Sequence, residues 1–210
     1  YQGHYPVIFV SFKDVKCNTW QETYEMLSMI IRKEFQRHSE LANSDKLSAT
    51  EKQDFNNYLH EQFNEAEMMM SFSALSQMLH EHYGEKTIII IDEYDTPIQQ
   101  GHTKGFYDEV INFMRNLFSG GLKDNSHLAY GFMTGILRVA KESIFSGLNN
   151  LKINSILDNK YSEYFGFTSK EVKEMLKYYG AKDKYSEICE WYDGYRFGNW
   201  EMDLIVDSFN

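Results

Sequence analysis

Residues 87–93 read Thr-Ile-Ile-Ile-Ile-Asp-Glu, four large β-branched side chains in a row closed by two carboxylates. β-branching favours an extended backbone, and an apolar run without alternation is what a strand flanked by other strands and covered on both faces carries. Thr87 to Asp92 is therefore expected to be the central strand of a sheet. Upstream, Val7 to Phe12 follows Pro6 with the same near-continuous apolar character, again as in a strand buried on both faces. Downstream, Leu128 to Thr134 supplies a third strand, and Lys152 to Ile156 is a candidate for one more.

The intervening segments have helical periodicity. Thr19 with Glu22 forms a capping-box pattern, after which Trp20, Tyr24, Leu27, Ile30, Ile31 and Phe35 recur at helical spacing. Leu41 to Ala49 is polar and loop-like. Thr50 with Gln53 suggests the cap of a polar helix ending near Glu67, and a further helix is expected from Phe72 to Tyr83, stopped by Gly84. Another spans about Phe106 to Phe118. Strands alternating with helices predict a parallel sheet flanked by helices, the α/β class. From Thr168, which has its capping partner Glu171, the pattern is helical and aromatic to Tyr192 without a clear strand.

In an open parallel sheet, ligands bind outside the carboxyl ends of the strands, which is where Asp92 and Glu93 fall. An aspartate there can hold Mg2+ through water, and the adjacent carboxylate can orient or deprotonate an attacking water in phosphoryl transfer. This is the pattern of a Walker B strand; the plain alternative is a pair of acidic residues closing a buried strand at the solvent boundary. Asp95 adds a third carboxylate within four residues. It is expected to cap a helix opened by Pro97, or else to share a cation with Asp92 and Glu93. A phosphate-binding loop of the form G-x-x-x-x-G-K-[ST] is absent from every window, and Gly84-Glu85-Lys86-Thr87 precedes a strand where such a loop must follow one.

Whole-chain properties narrow the classes. The 210 residues are 42% hydrophobic and 25% charged, which is globular and not disordered. With 31 acidic against 21 basic residues the formal net charge is -10, which repels a nucleic-acid backbone in the absence of a basic cluster. Cys17 and Cys189 stand alone, away from any metal-ligand spacing, and fit a reducing, cytoplasmic setting. No run approaches the roughly 20 apolar residues of a membrane span. The chain starts without Met and close to a strand, so sequence is expected upstream.

Three motifs in order carry a family resemblance: I-I-I-I-D-E-Y-D-T-P at 88–97, T-G-I-L-R-V-A-K-E-S-I-F-S-G-L-N-N at 134–150, and W-Y-D-G-Y-R-F-G at 191–198. Together they resemble the bacterial AAA-ATPase-like family. The resemblance implies a P-loop NTPase fold of the additional-strand type, incomplete here because the phosphate loop would lie before Val7. It also implies that a PD-(D/E)XK-type nuclease domain often follows, which would begin after Asn210. ATP and Mg2+ are the implied ligands of the complete domain. Asp92 would hold Mg2+, Glu93 would be the catalytic glutamate, and Thr134 would be a polar sensor contacting nucleotide. Arg138 would either reach a γ-phosphate or pair with a surface carboxylate at a helix start. The expected organisation is an ATPase core over 1–165 lacking its phosphate-binding segment, then a helical lid-like segment over 166–210. Without the phosphate-loop strand, Lys152 to Ile156 is expected to be displaced from the other three strands, to pair with another chain or to be partly disordered.

Two other classes compete. A metal-dependent nuclease would need a lysine on a strand beside Asp92 and Glu93, and none is well placed. A noncatalytic interaction module, whose aromatic C-terminal part docks a partner protein or a second copy in an oligomer, would show an exposed apolar patch of several hundred Å².

Overall fold

A computed structural model describes residues 2–136, 151–155, 157–161, 164 and 166–192. Strand β1 is Val7–Ser11, β2 is Thr87–Asp92 and β3 is Leu128–Met133. They form a parallel sheet in the order β1-β2-β3, which makes the isoleucine strand central. Register runs Ile8 to Ile89, Phe9 to Ile90 and Ser11 to Asp92, then Ile89 to Gly131, Ile90 to Phe132 and Ile91 to Met133. A register shift at Thr87/Ile88 leaves Ala129 unmatched.

Six helices lie in the connections: α1 (Trp20–Arg37), α2 (Ala49–Leu59), α3 (Glu65–Met69), α4 (Ser71–Tyr83), α5 (Thr96–Lys104) and α6 (Tyr107–Leu122). Thr19 caps α1 by accepting from the Glu22 amide, and Gly84 ends α4 at φ +78, a conformation that costs a residue without a Cβ little. The stretch expected as one helix to Glu67 is instead α2 and α3. Ser48 with Glu51, not Thr50 with Gln53, forms the reciprocal box that opens α2. Asn64 with Glu67 opens α3 in the same way, after a break at His60 to Phe63. A short 3-10 turn, Ser39–Asn43, interrupts the expected loop.

One face of the sheet is core. Ile8, Val10, Ile89 and Ile91 are fully buried with Leu27, Ile31 and Phe35 of α1, Leu75 and Leu79 of α4, and Phe113, Leu117 and Phe118 of α6. Each such side chain contributes about 1.5–3 kcal/mol relative to exposure, so this face anchors the unit. The other face differs from the expectation of strands covered on both sides. Phe9, Tyr130 and Phe132 stand about half exposed, at 48, 53 and 54%, and Ile88 and Ile90 are half-buried. Among the described residues, the helices packed on the strands bury only the first face.

Lys152 to Ser155 form no strand, and Ile156 lies outside the described residues; among those described, the sheet has three strands. The chain divides into two compact units, the first reaching Leu151 and the second starting at Lys152. In the second, α7 (Ser169–Tyr178) is opened by the Thr168 and Glu171 box, and Val172 and Leu176 pack with Phe167, Tyr185 and Ile188, the last two from α8 (Tyr185–Tyr192). Among the described residues no helix is long and apolar enough to cross a membrane.

Candidate functional site

Because β1, β2 and β3 are parallel, their carboxyl ends converge on one edge of the sheet. Asp92 is the last residue of β2, and its Cα partner in β1 is Ser11. The Ser11 hydroxyl donates to Asp92 Oδ2 at 3.0 Å, and the Thr134 hydroxyl donates to Oδ1 at 2.5 Å. One donor comes from each neighbouring strand end. Backbone bonds fix the same three positions: Phe12 N donates to Asp92 O at 3.0 Å and Thr134 N to Ile91 O at 2.9 Å. The carboxylate is thus oriented through both oxygens, each of which retains acceptor capacity.

Glu93 leaves the strand with φ +50, the left-handed region that a side-chain-bearing residue seldom occupies. The turn is held by Thr96, whose amide donates to Glu93 O at 3.2 Å and whose hydroxyl donates to Oε2 at 3.1 Å. Asp95 occupies the position before α5 and Pro97 lies in the first turn, as expected, but the Asp95 side chain does not cap the helix. It is buried, and its Oδ2 accepts from Gln99 Nε2 at 2.9 Å and from the Ile136 amide at 3.1 Å. The three carboxylates thus accept from three separate sets of donors. Among the described residues no three His, Cys, Asp or Glu side chains converge as metal ligands.

A family model described as "Predicted AAA-ATPase" matches residues 1–145. The chain belongs to the AAA-ATPase-like family. A curated relative from Azotobacter chroococcum mcd 1, titled "Uncharacterized protein in vnfD 5'region", is 31% identical over 140 residues, which are 66% of this chain and 26% of that protein. The chain thus spans about a quarter of that relative's length. No solved structure matches.

The AAA-ATPase-like match takes in Asp92, Glu93, Thr134 and Arg138, and stops short of the aromatic motif at 191–198. The structure brings Asp92 and Thr134 into direct contact, and Glu93 follows Asp92 in the chain. Arg138 lies outside the described residues, as does most of the 191–198 motif. Ser11 was not singled out from the sequence. Its signal is its place as the first polar residue after V-I-F-V, at the carboxyl end of a strand, where a ligand-facing group is expected.

Mg2+ beside nucleotide keeps several waters and takes one or two protein carboxylates, the phosphates supplying the rest. Asp92, oriented by two hydroxyls at the open end of the sheet, fits that demand without a three-ligand protein cage.

Proposed function

We propose that this chain supplies the metal and water side of a Mg·ATP site in an AAA-ATPase-like protein. The observation that supports this most is the Asp92 carboxylate, oriented by Ser11 and Thr134 at the end of the central strand with Glu93 next to it. In this reading the strand is a Walker B strand and Asp92 holds Mg2+, which would shield the phosphate charge. Glu93 orients or deprotonates the attacking water, Thr134 senses the nucleotide while bonded to Asp92, and Arg138 approaches the γ-phosphate.

The phosphate cradle would come from a glycine-rich loop outside these residues, and the 210-residue chain alone would not hydrolyse ATP. The two sheet edges are consistent with an added strand on one side. β3 has a strand partner on one side only, among the described residues, whereas the outer edge of β1 is occupied by Glu34 and Arg37.

The test is Mg·ATP calorimetry and turnover on the protein at its full natural length. Asp92→Asn should weaken Mg-dependent binding by about tenfold or more, and Glu93→Gln should leave binding near wild type while cutting turnover by about 100-fold or more. Absence of Mg·ATP binding by the wild type would discard the reading. The row of exposed Phe9 and Phe132 on either side of half-buried Ile90 favours a second one, a noncatalytic module that docks a partner on this sheet face. Binding of nucleotide that depends on Asp92 would remove it.

A further inference from the structure

Thr134, Gly135 and Ile136 leave β3 with little to hold them by packing: all three are exposed, Ile136 at 87%. A segment with few buried apolar contacts opens at low cost unless polar contacts restrain it. Yet Thr134 must stay within hydrogen-bond reach of Asp92. The restraint comes from behind. Asp95, only 1% exposed, accepts the Ile136 amide through Oδ2, and the same oxygen accepts from Gln99 on α5. Tyr94 N donates to Thr134 O at 3.1 Å. At Gly135 the backbone passes so close that an added Cβ would lie 2.5 Å from Asp95 Oδ1 and 2.7 Å from Tyr94 Cε1.

We propose that Asp95 is a positioning residue that clamps the exit of β3 to helix α5 and so holds Thr134 on Asp92, with Gly135 as the bare backbone that lets the carboxylate reach. Asp95 does not touch the reacting atoms; it acts through Thr134. A charged acceptor suits this task, because a carboxylate binds backbone and amide donors more strongly than a neutral acceptor does. The clamp also joins the nucleotide-facing end of β3 to α5, so displacement of Thr134 is passed to that helix through the buried Asp95 carboxylate. The catalytic part of this inference rests on the ATPase reading; the structural part does not.

Two variants disturb the clamp from opposite sides. Asp95→Asn keeps the shape and removes the charge, whereas Gly135→Ala keeps the carboxylate and pushes the loop away from it. Amide hydrogen exchange on the 210-residue chain reads the clamp directly. Both variants should speed exchange at Thr134 to Ile136 while Ile89 and Ile91 stay as protected as in wild type. On the full-length protein both should lower kcat by about tenfold or more with KM within about twofold, since a displacement of about 1 Å in a positioning group can cost about 100-fold. The double variant should be no worse than the poorer single one, because both break one linkage.

Unchanged exchange at Ile136 in both variants overturns the clamp whatever the enzyme does. Losses in kcat that add in the double variant, or a kcat that stays at wild type while exchange rises, overturn the positioning role. If the wild type turns over no ATP, the ATPase reading fails separately, and the exchange result alone decides whether Asp95 holds the β3 exit.

Discussion

Ser11 and Asp92 are direct partners across β1 and β2, and the Ser11 hydroxyl lies 3.0 Å from Asp92 Oδ2 although 81 residues separate them in the chain. With Thr134 on the other oxygen, Ser11 completes a symmetric pair of donors on one carboxylate. Ser11→Ala removes one donor without disturbing the buried face, because Ser11 lies on the same face as Phe9, opposite Ile8 and Val10. The stability loss should be about 0.5–1.5 kcal/mol, the net worth of one hydrogen bond. On the Mg·ATP reading proposed above, Mg-dependent nucleotide affinity of the full-length protein should fall severalfold, and less than in Asp92→Asn. A titration at fixed ATP and varied Mg2+ checks this. An affinity equal to wild type would show that Thr134 alone orients the carboxylate.

The outer edge of β1 is held by side chains of α1. Glu34 Oε1 accepts from the Phe9 amide at 2.8 Å, Arg37 donates to Val7 O at 2.5 Å, and Arg37 Nε donates to Glu34 Oε2 at 2.9 Å. A carboxylate and a guanidinium thus take the place of a neighbouring strand and block edge-to-edge pairing. Burial pushes the Glu34 carboxyl up, but the His38 imidazole 3.5 Å away and the hydrogen bonds from Arg37 and the Phe9 amide outweigh it and hold the group below its ordinary value of 4.5. A depressed carboxyl contributes stability above its unfolded pKa and loses it as pH falls through the folded one. Glu34→Ala should cost about 1–3 kcal/mol at pH 7, since the Phe9 amide loses its acceptor. Denaturation curves of variant and wild type should converge in strongly acidic buffer, and the variant should aggregate at lower concentration. A gap that persists unchanged below pH 4.5 would assign Glu34 a packing role instead.

What the sequence made legible is what local patterning controls. Four isoleucines and two carboxylates marked the central strand and its carboxyl end, and Gly84 and the Thr168 to Glu171 box marked helix ends. At α2, S-x-x-E and T-x-x-Q overlap by two residues, and the pattern ending in a full carboxylate forms the box. The break before α3 was also written locally, in Asn64 and Glu67, but the polar run on either side hid it. Three features were not local. Ser11 acquires its role from cross-strand register, Asp95 from a loop 41 residues later, and the exposure of Phe9 and Phe132 from which elements cover the sheet. Apolar character shows that a strand can be buried on both faces and leaves open whether anything buries it. At Lys152 to Ser155, isolated apolar residues suggested a strand where none pairs.

At the opposite end of the sheet, His80 of α4 and His127 before β3 face each other with Nδ1 to Nδ1 at 3.0 Å. Such a contact needs one nitrogen to donate and the other to accept, so it cannot survive two charged rings. His127 also anchors β2, since its carbonyl accepts from the Thr87 amide at 2.8 Å and from the Thr87 hydroxyl at 3.1 Å. Burial lowers the His127 pKa below 6.5, the His80 charge and Lys86 lower it further, and Glu81 opposes them. The folded state thus binds this proton less readily than the unfolded chain does. The contribution of His127 is complete above pH 6.5 and declines as pH falls from there through the depressed value. Glu34, Glu40 and Glu51, all lowered from 4.5, hold their contribution until the pH is more acidic still. Thermal melts at pH 7.5 and 5.5 separate these ranges. The wild type should lose Tm over this interval, and His127→Asn, which keeps a hydrogen-bonding group near Nδ1 but cannot take the charge, should lose distinctly less. Parallel falls in both proteins would show that the acid sensitivity between those values arises elsewhere.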